Sequence, residues 1–252
     1  MIVADDLTTA WLTSLERRHL ADLTISEAAR ALRALSSCYV ERRGRLAQGE
    51  ALGTKGKRAA FALFYGPLHY FTVAAMVRAL PSALDGIDTI LDLGCGTGAA
   101  GAAWALAAGS RTVRGVDRHP WMVAEANAAY RQLGLRGHAT KGAMEQAQAV
   151  RHARAGTGVI AAYAVNELLP DLRTSMLSAL IDACARGARI LVVEPIAKRV
   201  SPWWREWQTS FERAGGRADE WRFPLALPPA PLGLARAAGL DPRELTARSL
   251  FA

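Results

Sequence analysis

Apolar and polar positions change their period along this chain, and the changes mark out its elements. From residue 7 to 40 leucines recur at helical spacing (Leu12, Leu15, Leu20, Leu23, Leu32, Leu35), and Ser26 stands where it can cap a turn before Glu27. Residues 41–58 lose the period. Arg42, Arg43, Arg45, Lys55, Lys57 and Arg58 are interleaved there with Gly44, Gly49, Gly53 and Gly56, which reads as a basic connector. A second helical stretch, 59–80, ends near Pro81. Beyond it short apolar runs alternate with helical periods: strands at 88–93, 111–116, 136–141, 158–164 and 188–194, and helices at 99–108, 120–133, 144–153 and 171–186. A Trp-rich helix (203–214), a strand (218–227), a short helix (231–238) and a last strand (243–251) complete the chain.

Strand and helix alternating at this spacing specify an α/β fold with a doubly wound, mostly parallel sheet. The division that follows is a helical cap over 1–80, suited to substrate recognition, and a Rossmann-like domain over 81–252.

Composition narrows the class. The chain has 252 residues, 51% of them hydrophobic, enough for one α/β domain with an extension. Cys38, Cys95 and Cys184 lie far apart with no histidine cluster near them, so neither a disulfide framework nor a metal site is expected. The N-terminal residues show no basic region followed by an apolar core. Phe61 to Val77 carries no formal charge, but Gly66-Pro67 and His69 interrupt it and it is shorter than the ~20 residues of a spanning helix. A buried hairpin or kinked helix is expected there, and the protein reads as cytoplasmic, with no membrane partner. The net charge is +8, yet 27 of the 31 basic residues are arginine in an Ala-rich chain, and the excess is spread along it, +4 in residues 1–80 and +4 in the remainder. Basicity of this kind is compatible with a nucleic-acid partner without requiring one.

The densest chemical signal is Ile90-Leu-Asp-Leu-Gly-Cys-Gly-Thr-Gly-Ala-Ala-Gly101. An apolar strand ending in Asp92 and Leu93 runs into Gly94, Cys95, Gly96 and Gly98, and then into a small-residue helix. Glycines at alternate positions let the backbone turn sharply and approach a ligand that any Cβ would push away. Strand, glycine turn and helix N-terminus together make a nucleotide-type site at the carboxyl edge of a parallel sheet. Gly96-x-Gly98-x-x-Gly101 also fits the dinucleotide fingerprint. Asp92 argues against a pyrophosphate, which its carboxylate would repel, and favours a cationic moiety. Asp117 ends the next strand, 19 residues after Gly98, where a carboxylate reaches ribose hydroxyls or caps the helix beginning at Pro120.

Leu91 to Gly98 resembles the first motif of class I S-adenosylmethionine (SAM) dependent methyltransferases. The resemblance implies SAM as cofactor and a seven-stranded sheet with one antiparallel strand near its end. It also implies cofactor contacts from Asp92, Gly94, Cys95, Gly96, Gly98, Asp117, Arg118, Ala143, Met144 and Tyr163. Gly142 stands where the family usually has an acid, which leaves the adenine to backbone groups or to Glu145. The end of the fourth strand, Tyr163-Ala-Val-Asn166-Glu167, would meet the acceptor. Asn166 is a candidate to hold a polar group and Glu167 to accept a proton, or they cap a turn and face solvent. The chain lacks the Asn/Asp-Pro-Pro-aromatic stretch of amino-methylating nucleic-acid enzymes and a cysteine placed for cytosine-C5 chemistry.

A wider resemblance spans residues 39 to about 200. Tyr39-x-x-Arg42-Arg43-Gly44, Asn166-Glu167-Leu168 and Val193-Glu194-Pro195 are similar to the methyltransferase-like family associated with the mitochondrial small ribosomal subunit and its bacterial relatives. The chain departs from that family at Tyr65-Gly-Pro-Leu-His-Tyr70 and in having no C-terminal cysteine cluster, so no metal is carried over. These readings predict a methyltransferase acting on RNA, with the cations of 42–58 and 198–222 gathered on one face. A small-molecule methyltransferase with an apolar pocket lined by Phe64, Tyr65, His69 and Trp203 or Trp204 is the alternative. A SAM-binding assembly factor without turnover is a third. Trp203, Trp207 and Phe211 fall at i, i+4 and i+8, a core-facing stripe that leaves Trp204 over.

Overall fold

A computed structural model describes residues 5–41, 52–146, 148–197, 201–224 and 227–252. Arg42, Arg43 and Arg45 lie outside the described residues. Seven strands form one sheet in the order β3-β2-β1-β4-β5-β7-β6. They are β1 (Thr89–Leu93), β2 (Thr112–Asp117), β3 (Arg136–Lys141), β4 (Thr157–Ala162), β5 (Arg189–Glu194), β6 (Arg217–Pro224) and β7 (Glu244–Phe251). The first five pair in parallel, and β7 runs antiparallel between β5 and β6. The chain leaves β1 for β2 on one side and returns to place β4 on the other. That reversal opens a crevice at the carboxyl ends of β1 and β4.

The N-terminal helical run is two helices, α1 (Asp6–His19) and α2 (Ile25–Glu41), broken at 20–24. Thr24 supplies the start of α2, where Ser26 was expected. Its N–H and hydroxyl donate to Glu27 Oε2, each at 2.8 Å, and Glu27 N–H donates back to Thr24 Oγ1 at 3.2 Å, a complete capping box.

The second helical stretch starts earlier than its hydrophobic period. α3 (Lys55–Ala60) takes in the end of the basic connector, a π-helical turn covers Phe61–Tyr65, and α4 (Gly66–Ala79) follows. Gly66 N–H donates five residues back to Phe61 O, and the widened turn seats Pro67 in the first turn of α4. The helix from Lys55 to Ala79 is therefore 25 residues, long and apolar enough to cross a membrane by length and composition, which corrects the expectation from length. Its most apolar window is 78% buried inside the protein, as in the core helix of a globular fold.

The region 144–153 has good helix formers but folds as two 3₁₀ turns, Met144–Gln146 and Gln148–His152. A helix this short is marginal by itself. Here Arg186, at the end of α7 (Pro170–Ala185), donates to Ala153 O and Val150 O at 3.1 Å each and fixes the backbone in another path.

Helices α5 (Ala99–Ala107) and α6 (Pro120–Gln132) cover the sheet on the side of α1–α4, and one apolar core runs from Trp11 through Phe71 and Trp104 to Phe251. On the opposite face α7 and α8 (Trp204–Arg213) pack against Leu91, Val159 and Val192. Trp203, Trp207 and Phe211 are buried there as their spacing predicts. Trp204 is buried as well, beneath Arg248, whose Cζ lies 4.0 Å from its ring. A short α9 (Pro229–Ala237) leads into β7.

Candidate functional site

The glycine loop sits at the crevice. Gly94, Gly96 and Gly98 all have positive φ (66°, 52° and 75°), so the loop turns left-handed at every second residue. At Gly94 a Cβ would come within 2.6 Å of Ala164 Cβ and 3.2 Å of Met144 Sδ; the loop is pressed against the ends of β4 and β3. At Gly96 a Cβ would meet nothing within 4 Å. One glycine admits the protein's own neighbours, and the other faces open space where a ligand can lie.

Two carboxylates frame the loop. Asp92 is 1% exposed; its Oδ2 accepts from Gly101 N–H at 3.0 Å, and its Oδ1 is buried with no partner. Burial pushes its carboxyl up to about 7, with the Asp117 carboxylate adding to the shift and the Gly101 N–H opposing it. An orphaned buried carboxylate oxygen is costly unless a cation or donor comes to it. Asp117 Oδ2 accepts from Gly96 N–H at 2.9 Å and its Oδ1 from His119 N–H at 2.8 Å. The cap of α6 is His119, whose Nδ1 accepts from Trp121 N–H at 3.1 Å, so Asp117 shapes the loop and does not cap the helix.

The remaining expected cofactor residues gather around this frame. Cys95 N–H donates to Val116 O at 2.9 Å, and its side chain is buried, where burial holds the thiol well above its usual range. Its carbonyl accepts from Gly98 N–H at 2.7 Å, so its backbone is spent on the shape of the loop and its side chain offers no thiolate. Met144 is 7% exposed against Gly94, next to the half-buried Ala143. Arg118 pairs with Glu145, which removes Glu145 as a free acid for an adenine amino group.

Tyr163 follows β4 with φ +60°, a strained value for a bulky residue, and stacks on His69 of α4 with ring centroids 4.1 Å apart and planes at 19°. Thr72, one turn along α4, donates its hydroxyl to Leu68 O at 2.7 Å. Phe61, Phe64 and Tyr65 extend this aromatic cluster. A Cβ on Gly66 would lie 3.2 Å from Thr97 Oγ1, so the start of α4 rests directly on the glycine loop. Phe64, Tyr65 and His69 do meet here. Trp203 and Trp204 do not; they belong to the cluster on the other face of the sheet.

Asn166 lies at the end of β4 with both ends of its amide engaged. Nδ2 donates to Glu194 Oε2 at 2.6 Å, and Oδ1 accepts from Trp203 Nε1 at 2.8 Å. Its backbone N–H also donates to Glu194 Oε1 at 3.3 Å. Glu194 is fully buried, so the geometry makes Asn166 a tie between β4, β5 and α8. Glu167 is different: its side chain opens to solvent on one side, with its carboxyl pushed up to about 7 by burial, helped by Asp117 and opposed by Arg118. Residue spacing does not reveal the Glu194 partnership or the His69–Tyr163 stack. The Glu-Pro at the end of β5 was the one visible sign of the first, and His69 was visible only as one lining residue of an apolar pocket.

Residues 90–187, less than half of the chain, match the family model described as a methyltransferase domain. The glycine loop and Asp117 both lie within the matched residues. The methyltransferase region and the cap together superpose on mitomycin 7-O-methyltransferase MmcR with a TM-score of 0.51 at 16% identity, over 98% of this chain and 75% of that one. The methyltransferase domain of bacterial CtHen1-CN matches at 0.49 and 12% identity, over 73% of this chain and 97% of that one. Aeropyrum pernix fibrillarin with natively bound SAM matches at 0.44 and 14%, over 74% and 76%. These are likenesses of fold. A comparison with curated protein sequences finds no match. Among the described residues no cluster of His, Cys, Asp or Glu could hold a metal ion.

Proposed function

We propose that this protein is a SAM-dependent methyltransferase acting on RNA. The cofactor fits the residues present: Asp92 Oδ1 is an orphaned buried anion, and Gly96 leaves the space a ligand needs. Asp92 would hold positive charge, the Gly94–Gly98 backbone would lie along the cofactor, and Asp117 would face its ribose. When bound, SAM supplies a methyl group made electrophilic by its sulfonium. The chain's own contribution is to position, to exclude water and to receive a proton. Tyr163, stacked on His69, closes the crevice from the side of α4. Glu167, with its carboxyl raised to about 7, takes a proton from the acceptor where the acceptor carries one to lose.

The observation that carries the RNA reading is a set of cations on three separate elements beside the crevice. Arg118 follows β2, Lys141 ends β3 in register with Asp117, and Arg58 of α3 lies 5.9 Å over the ring of Trp121 in the first turn of α6. With a net charge of +8, these favour a polyanion at the β2–β3 side of the site. Binding of bulk cellular RNA, followed by fluorescence anisotropy, is expected to weaken about tenfold or more between 50 and 200 mM salt, and to weaken in K141A and R118A. Salt-insensitive binding, or none, removes this acceptor. The half-buried aromatic group of Tyr65, His69 and Tyr163 favours a second reading, a small aromatic acceptor.

A further inference from the structure

The acceptor side of the crevice has a wall of its own. Its two members come from opposite sides of the glycine loop. His69 stands one turn after Gly66, which touches Thr97, and Tyr163 stands one residue before Ala164, which touches Gly94. Both contacts fix the pair directly beside the loop. The backbone of Tyr163 is held at φ +60°, a region that a bulky side chain disfavours. The backbone is held there by Tyr163 N–H donating to Val193 O at 2.8 Å and by the stack of its ring on His69. On the other side a π-helical turn, a feature common at functional sites, sets the direction of α4 and so of His69.

We propose that His69 and Tyr163 form the acceptor wall of the site and select a planar, uncharged aromatic ring. The proposal rests on the SAM reading above. Both side chains are partly buried and keep some exposed aromatic surface, while Phe61, in ring contact with His69, is buried and gives the pair an apolar backing. Such edges favour the face of another ring over a saturated or charged group. Burial drives the His69 imidazole down to about 3, so it is neutral at working pH. It neither attracts a phosphate nor repels a cationic cofactor, and it keeps one donor and one acceptor nitrogen for the polar edge of a base or phenol.

The test is saturation-transfer NMR on the protein saturated with S-adenosylhomocysteine, using uridine, a uridine hexamer, 2-naphthol and cyclohexanol as probes. Ring protons of the aromatic probes should receive saturation and cyclohexanol should not. H69A and Y163L should weaken aromatic binding about tenfold, and H69F and Y163F should restore most of it. Thermal melts should show all four variants folded, and calorimetry with S-adenosylhomocysteine should give wild-type affinity in H69A and H69F. A hexamer that outcompetes uridine and 2-naphthol assigns the ring to RNA; the reverse order assigns it to a free aromatic molecule. Equal binding of cyclohexanol, or aromatic binding unchanged in H69A and Y163L, overturns the wall. Failure of the wild type to bind S-adenosylhomocysteine overturns the SAM reading instead, and the wall with it.

Discussion

Asp117 holds Gly96 in place: the carboxylate that ends β2 accepts the backbone N–H at the apex of the glycine loop at 2.9 Å. The same carboxylate fixes His119 at the start of α6. A residue placed to meet a ribose thus also sets the shape of the loop that meets the rest of the cofactor. D117N would turn one of the two acceptors into a donor facing an N–H. It is expected to cost about 1–3 kcal/mol of stability and to weaken SAM binding about tenfold or more. Thermal melts and calorimetry on the same preparation check both.

Gly96→Ala separates folding from binding. None of the described residues stands within 4 Å of the added Cβ, so the fold loses only the cost of a left-handed alanine, about 1–2 kcal/mol. SAM affinity should fall well beyond what that cost explains. Equal SAM affinity in G96A and wild type would show that the cofactor lies elsewhere.

Asp92 predicts two opposite pH dependences. Its carboxyl sits at about 7 in the fold against 3.8 ordinarily, so the ligand-free fold binds this proton more tightly than the unfolded chain. That contribution to stability is most favourable below about pH 4 and is lost as pH rises toward 7. A cationic cofactor favours the anion, so SAM affinity should climb with pH up to about 7 and then level. D92N should lose SAM affinity and remove both slopes, measured as differences from wild type by denaturant melts and by calorimetry between pH 5.5 and 8.

Asn166 is expected to report on architecture. N166A strips partners from buried Glu194 and from Trp203 Nε1, and N166D sets a second carboxylate against Glu194. The first should cost about 2–3 kcal/mol and the second about 3 kcal/mol or more at neutral pH. SAM affinity should change little in whatever fraction stays folded. E167Q should do the reverse, leaving stability near wild type and lowering turnover.

Much of this was legible from the chain because it depends on local rules. Asp92, the alternating glycines and Asp117 fix a strand, a turn and a second strand within a short stretch, and each lies where its spacing puts it. What escaped was decided between distant segments. Thr24 took the cap from Ser26 because Glu27 could reach back to it. Arg186 turned a good helical sequence into two 3₁₀ turns by claiming its carbonyls. Trp204, left over by the helical period, was buried by an arginine from the last strand. The His69–Tyr163 stack joins residues far apart in sequence; each was a candidate by itself, and no local rule pairs them.

Incubation with tritium-labelled SAM and a cell extract, then separated into RNA, protein and small molecules, tests the central claim most directly. The account predicts label in the RNA fraction with wild-type protein and its loss with G96A. No label above background in any fraction would contradict it.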